Sequence, residues 1–173
     1  MKRFALILTL CLLFSCQKDD DGFRIYTVKA GHHYCFHDLT RTLNQHSLQG
    51  EFKINDTWEM EYTGGWNKIV GISEGSHKEN SCRIVYRYEN EQKMIGMYVY
   101  ADGIRYELTI GEVQNGTYYF DMRHSGNLWY LTICGDTYTL PAGKKTDVGM
   151  VLYPYIGGDL TIGHDWIVPL KLI

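Results

Sequence analysis

Apolar and polar residues alternate with a period of two along much of this chain. Ile104, Tyr106, Leu108 and Ile110 alternate with Arg105, Glu107 and Thr109. Cys82, Ile84, Tyr86 and Tyr88 oppose Arg83, Arg87 and Glu89, and Trp58, Met60 and Tyr62 oppose Thr57, Glu59 and Glu61. Successive side chains of a strand point to opposite faces, so these segments predict strands with one buried and one solvated face, as in antiparallel sheets. Between them stand Asp102-Gly103, Asn115-Gly116, Gly126-Asn127 and Gly135-Asp136. Such dipeptides suit the positive φ of tight hairpin turns. The pattern predicts strands at 23–29, 32–37, 48–54, 57–63, 67–73, 82–89, 94–101, 104–110, 117–123, 127–134, 136–140, 148–156 and 164–172. Only Asp38 to His46 leans towards helix. So many strands do not stay in one open twisted sheet, and the expectation is all-β: an antiparallel two-sheet sandwich. Gly64-Gly65, Gly75 and Gly157-Gly158 mark longer excursions at its ends.

The start of the chain follows another pattern. Lys2 and Arg3 precede an apolar run, Phe4 to Phe14, too short to span a bilayer. Leu13-Phe14-Ser15-Cys16 then matches the lipobox of bacterial lipoproteins, in which the cysteine becomes the lipidated first residue. The expected division is a signal peptide at 1–15, a lipidated Cys16 with an acidic tether at 16–22, and a single β-sandwich domain at 23–173. The tether, Gln17-Lys18-Asp19-Asp20-Asp21-Gly22, reads as a solvated spacer and resembles the export tails of surface lipoproteins in some Gram-negative bacteria. The expected location is the bacterial cell envelope, at the outer membrane, held to the membrane by lipid.

Without Lys2 and Arg3 the mature chain carries 15 basic and 20 acidic side chains, a formal net charge of −5. That balance gives no electrostatic reason to expect nucleic acid as a partner. Cys35, Cys82 and Cys134 remain besides Cys16, without zinc-binding spacing. An odd number allows at most one internal disulfide, and buried thiols acting as small apolar side chains are the plainer expectation.

Trp66-Asn67-Lys68-Ile69-Val70-Gly71-Ile72-Ser73-Glu74-Gly75 runs into His77, Asn80, Ser81 and Arg83. Further on stand Tyr98-Val99-Tyr100-Ala101-Asp102-Gly103-Ile104-Arg105, Gly116-Thr117-Tyr118-Tyr119, Leu152-Tyr153-Pro154-Tyr155-Ile156-Gly157-Gly158 and His164-Asp165. Over about residues 50–172 this order resembles uncharacterised bacterial lipoproteins with a concanavalin A-like (lectin/glucanase-type) jelly-roll sandwich. In those relatives a proline often precedes the histidine, where this chain has Gly163. The resemblance implies the sandwich and says little about activity.

No catalytic motif stands out. The carboxylate signature Glu-x-Asp-x-x-Glu of sandwich glycosidases is missing, and Glu59 with Glu61 read as solvated. His32, His33 and His37 do not converge on one strand face, His164-Asp165 reads as a structural pair, and neither a metal nor a cofactor is expected. The richest polar excursion is Glu74 to Ser81, preceded by Gly64-Gly65-Trp66-Asn67. A sugar site combines an aromatic ring for C–H faces with planar polar groups for hydroxyls. Trp66, Asn67, Glu74, His77 and Asn80 supply that set if the two loops meet. The function read from the sequence is therefore a surface-anchored, non-catalytic glycan-binding module. The alternatives are a polysaccharide-degrading hydrolase or lyase with dispersed catalytic residues, or a structural or protein-binding envelope component.

Overall fold

The computed structural model describes residues 19–35, 40–43, 46–59, 65–157 and 161–173. Among these residues two antiparallel six-stranded sheets pack face to face. Sheet A runs in the order β1 (Arg24–Val28), β12 (Trp166–Leu172), β3 (Ser47–Ile54), β8 (Gly116–Ser125), β9 (Leu128–Ile133) and β10 (Asp136–Pro141). Sheet B runs β2 (Thr40–Leu43), β11 (Gly149–Leu152), β4 (Asn67–Glu74), β5 (Asn80–Glu89), β6 (Gln92–Ala101) and β7 (Ile104–Glu112).

The alternation decides which side chains enter the core. Leu48, Phe52 and Ile54 of β3, Phe120 and Met122 of β8, and Trp129, Leu131 and Ile133 of β9 meet Cys82, Ile84 and Tyr86 of β5 and Ile95, Met97 and Val99 of β6. Asp102 and Gly103, at φ 50° and 79°, make the turn between β6 and β7 where two positive φ values are needed.

The structure departs from the sequence reading in five places. Of the strand expected at 32–37, the described residues 32–35 hold a single bridge, from Tyr34 to Tyr155. Thr40–Leu43, within the segment leaning towards helix, is a strand paired with Gly149–Leu152, because ladder pairing outweighs a weak local preference. The strand expected at 57–63 begins as a 3₁₀ turn, Asp56–Trp58, capped by Asn55, whose side-chain oxygen accepts from the Thr57 N–H at 2.9 Å. That turn drops Trp58 into the core beside Trp166, with ring centroids 4.8 Å apart; residues 60–63 lie outside the described residues. Of the strand expected at 148–156, only Gly149–Leu152 is continuous, followed by single bridges from Tyr155 to Tyr34 and Lys68. Finally, Asp19 to Gly22 do not form an open spacer. The Gly22 N–H bonds to the Asp19 carbonyl at 3.0 Å, and Asp19 and Asp21 hold the Lys53 ammonium at 3.0 and 2.8 Å.

His164 and Asp165 face different partners just before β12. His164 Nε2 lies 3.0 Å from the Thr57 carbonyl, while Asp165 pairs with Lys29 at 2.6 Å and accepts from the Ala30 N–H. The pair ties three segments together, as expected of a structural motif.

Candidate functional site

The outward face of sheet B carries an unusual mixture. On β5 the residues between the core positions are Arg83, Val85 and Arg87, and on β6 they are Tyr98 and Tyr100. Gly71, Arg83 and Tyr98 sit side by side on β4, β5 and β6. A Cβ at Gly71 would collide with the Cys82 carbonyl and stand 2.6 Å from Arg83 Cγ. Glycine thus clears the floor over which the arginine lies.

A wall rises along one side. After β11, Tyr153-Pro154-Tyr155 carries on along β4 in the same antiparallel register, and Tyr155 exchanges two 2.8 Å backbone hydrogen bonds with Lys68. The Gly157 N–H donates to Asn67 Oδ1 at 2.7 Å, which fixes the far end of this segment. Wall and sheet enclose a cleft of about 420 Å³, into which Lys68, His77, Lys78, Arg83, Tyr98, Tyr100, Tyr34 and Tyr155 all face. Its described lining holds no carboxylate.

Burial sets the electrostatics. It pulls the Arg83 guanidinium down to about 10, a change opposed by Tyr98 and Tyr100, so the group stays a cation at neutral pH. Tyr98 is pushed up to about 12 by burial and by its contact with the Tyr100 hydroxyl 3.2 Å away, and it holds its proton. Burial, then the charges of Arg83 and Lys78, lower His77, which favours its neutral form. The Lys68 ammonium sits 5.5 Å from the Tyr98 ring centroid and 5.6 Å from that of Tyr155. The cleft thus offers cations for an anionic ligand, beside the imidazole of His77, whose neutral form is favoured, and the protonated phenol of Tyr98.

Of the five residues singled out in the sequence, His77 lines this cleft. Trp66 is 6 % exposed: its Nε1 donates to Glu107 at 3.0 Å, the Arg87 guanidinium lies 4.5 Å above its ring, and Gly96 makes room beneath it. Asn67 is buried and pins the wall. Glu74, at the other end of β4, and Asn80, at the start of β5, are buried. Glu74 lies 2.8 Å from both His46 Nδ1 and His124 Nδ1 and accepts from the Thr146 N–H. Asn80 accepts from Trp129 Nε1 and the Gly143 N–H and donates to the Lys144 carbonyl, which fixes the loop after β10. Asn67 and Glu74 are seven residues apart on one strand, roughly 23 Å, so the two loops do not meet. Cys16 lies outside the described residues.

The sequence reading passed over Lys68, Arg83, Tyr98, Tyr100 and Tyr155. One signal was available: Met94 to Ala101 is apolar or aromatic at both parities, so both faces of β6 are covered. Among the described residues no group of three or more histidine, cysteine or acidic side chains is placed to hold a metal ion.

No protein-family model and no curated protein matches the chain by sequence. Solved structures do match its fold. Alginate lyase AlyC3 in complex with dimannuronate superposes with a TM-score of 0.61 at 10 % identity, covering 88 % of this chain and 74 % of that one. Alginate lyase AlgAT5 from Polysaccharide Lyase family 7 gives 0.56 at 12 % identity, covering 91 % and 80 %. A laminarinase from Flavobacterium sp. UMI-01 gives 0.55 at 11 % identity, covering 91 % and 81 %. At these identities the likeness is one of fold, and the fold is the concanavalin A-like jelly-roll sandwich.

Proposed function

We propose that the cleft on sheet B takes an acidic, uronate-bearing polysaccharide and cleaves it by β-elimination. One observation carries this reading: a lining of Lys68, Arg83, tyrosines and a histidine, with no carboxylate among its described residues. Hydrolysis on such sandwiches needs two carboxylates, one as acid and one as base or nucleophile. Elimination needs something different. A cation paired with the sugar carboxylate makes the neighbouring C5–H more acidic, a base removes that proton, and an acid protonates the departing O4. The C4–O4 bond breaks as a C4=C5 double bond forms, and no water is consumed. Arg83 suits the first role, neutral His77 the second and protonated Tyr98 the third. The fold neighbours that act on alginate support a uronate substrate.

The test is incubation of the purified full-length protein with alginate, polygalacturonate and a neutral β-glucan. Ultraviolet absorbance follows the conjugated double bond, and a reducing-sugar assay follows hydrolysis. Unsaturated ends from an acidic polymer, lost in Arg83→Ala and in Tyr98→Phe, support the reading. Reducing ends without unsaturation overturn it in favour of hydrolysis, and binding without either product identifies a non-catalytic glycan module. The lipid anchor at Cys16 belongs to the same proposal, with the domain displayed from the envelope membrane.

A further inference from the structure

We propose that Tyr155, together with Lys68, forms a subsite for one uronosyl residue beside the Arg83 centre; this rests on the acidic-glycan reading. Among the described residues three tyrosine rings are well exposed: Tyr119 at 49 %, away from the cleft lining, and Tyr34 and Tyr155 at 42 % and 37 %, both in the cleft. An aromatic ring held open to water inside a cleft loses burial energy that a ligand's apolar face recovers.

Tyr155 is also held still. Its N–H and carbonyl are both bonded to Lys68, Tyr34 bridges to it, and the His33 ring lies parallel to it, 5.3 Å between centroids and 7° between planes. His33 Nδ1 in turn lies 2.9 Å from the Ile156 carbonyl, which sets that ring's orientation. A platform ordered before binding loses little entropy when a ligand arrives.

The ammonium of Lys68 stands 5.6 Å from the centre of this ring. A pyranose ring has apolar C–H faces, and a uronate adds one carboxylate at its edge. A flat aromatic surface with a cation beside it matches that pairing of features; a neutral sugar satisfies only half of it. Lys68 is paired across the ladder with Val85, two residues along β5 from Arg83. The two cations therefore leave the sheet roughly 8 Å apart, on neighbouring strands. Arg83 with Tyr98 addresses the reacting residue, and Lys68 with Tyr155 addresses a residue next to it.

The test uses full-length wild type, Tyr155→Ala, Tyr155→Phe and Tyr155→Trp, with dimannuronate for affinity and polymannuronate for turnover. Tyr155→Ala is expected to weaken dimannuronate binding and raise KM about five- to tenfold. Its kcat is expected to stay within about twofold of wild type, because the ring acts on binding rather than on the reacting atoms. Phe and Trp are expected to retain wild-type affinity, which shows that the ring and not the hydroxyl is used. Circular dichroism melts establish that each variant is folded. Unchanged affinity in a folded Tyr155→Ala overturns the subsite while leaving the acidic-glycan reading intact. So does a loss of kcat at unchanged KM. A wild type that neither binds nor cleaves any uronate polymer overturns both.

Discussion

Replacing Glu74 with alanine separates a side chain that holds the sandwich together from one that meets a ligand. Its carboxylate is fully shielded from solvent, with Oε1 2.8 Å from His46 Nδ1 and Oε2 2.8 Å from His124 Nδ1. Oε2 also accepts from the Thr146 N–H at 3.1 Å. His124 is itself buried against Trp129, 4.8 Å between ring centroids, and its Nδ1 approaches Oε2 off the line of a hydrogen bond. Glu74 belongs to sheet B, His124 to sheet A and Thr146 to the loop between β10 and β11, so one carboxylate links three parts of the fold. Leaving a buried hydrogen-bonding group without its partner costs about 1–3 kcal/mol. His46 is partly exposed and the Thr146 amide is only partly buried, so water replaces some of what they lose. The expected destabilisation is therefore about 3 kcal/mol, which for a chain of this size lowers Tm by roughly 6–12 °C. Urea unfolding measures it as a lower midpoint at an unchanged slope. Glycan affinity of the folded fraction is expected to match wild type. A loss below about 1 kcal/mol, or full stability with lost glycan affinity, refutes the reasoning.

Gly71→Ala places a methyl group against Arg83 and the Cys82 carbonyl. It is expected to cost about 1–3 kcal/mol and to reduce turnover by displacing the guanidinium, which activity per folded molecule measures. His77 is lowered by burial and by Arg83 and Lys78, so the neutral ring persists on the acid side of the usual imidazole value of about 6.5. Turnover is accordingly expected to reach half its maximum below pH ~6.5, and a half-maximum above that value counts against His77 as base. The same lowering means that the folded chain binds fewer protons there than the unfolded one, so this group makes stability rise with pH across that window. Cys16→Ala is expected to move the protein from the membrane to the soluble fraction on cell fractionation, and continued membrane association sinks the anchor.

Much of the fold was legible because its cause is local. The alternation of β5 and β7 and the glycine turns between β6 and β10 are written in neighbouring residues, and they place Cys82, Ile84 and Tyr86 in the core correctly. The start of the 57–63 segment misled because a side-chain cap at Asn55 competes with extended pairing, a contest that period-two patterning does not register. The candidate site was harder to see. Trp66 and Glu74 have the chemistry of sugar ligands, but partners distant in sequence, Glu107 and Arg87 for one and His46 and His124 for the other, occupy them. Arg83 looked solvated because alternation assigns a face without saying what covers it. The cleft it faces is completed by a segment some seventy residues later, Tyr153 to Tyr155.

The turn at Asp19 to Gly22 bears on how this protein stands in its surroundings. Asp19 and Asp21 grip Lys53 on the outward face of sheet A, where the Lys53 ammonium also lies 4.1 Å above the Phe23 ring. In a chain anchored at Cys16, two residues separate the lipidated cysteine from the first docked carboxylate, a reach of about 10 Å at full extension. The leash is short, and it is fastened to the sheet that does not carry the cleft. With Cys16 lipidated as proposed, sheet A would be turned towards the bilayer and the open mouth of sheet B away from it. That placement would leave the cleft open to the long acidic polymer proposed above.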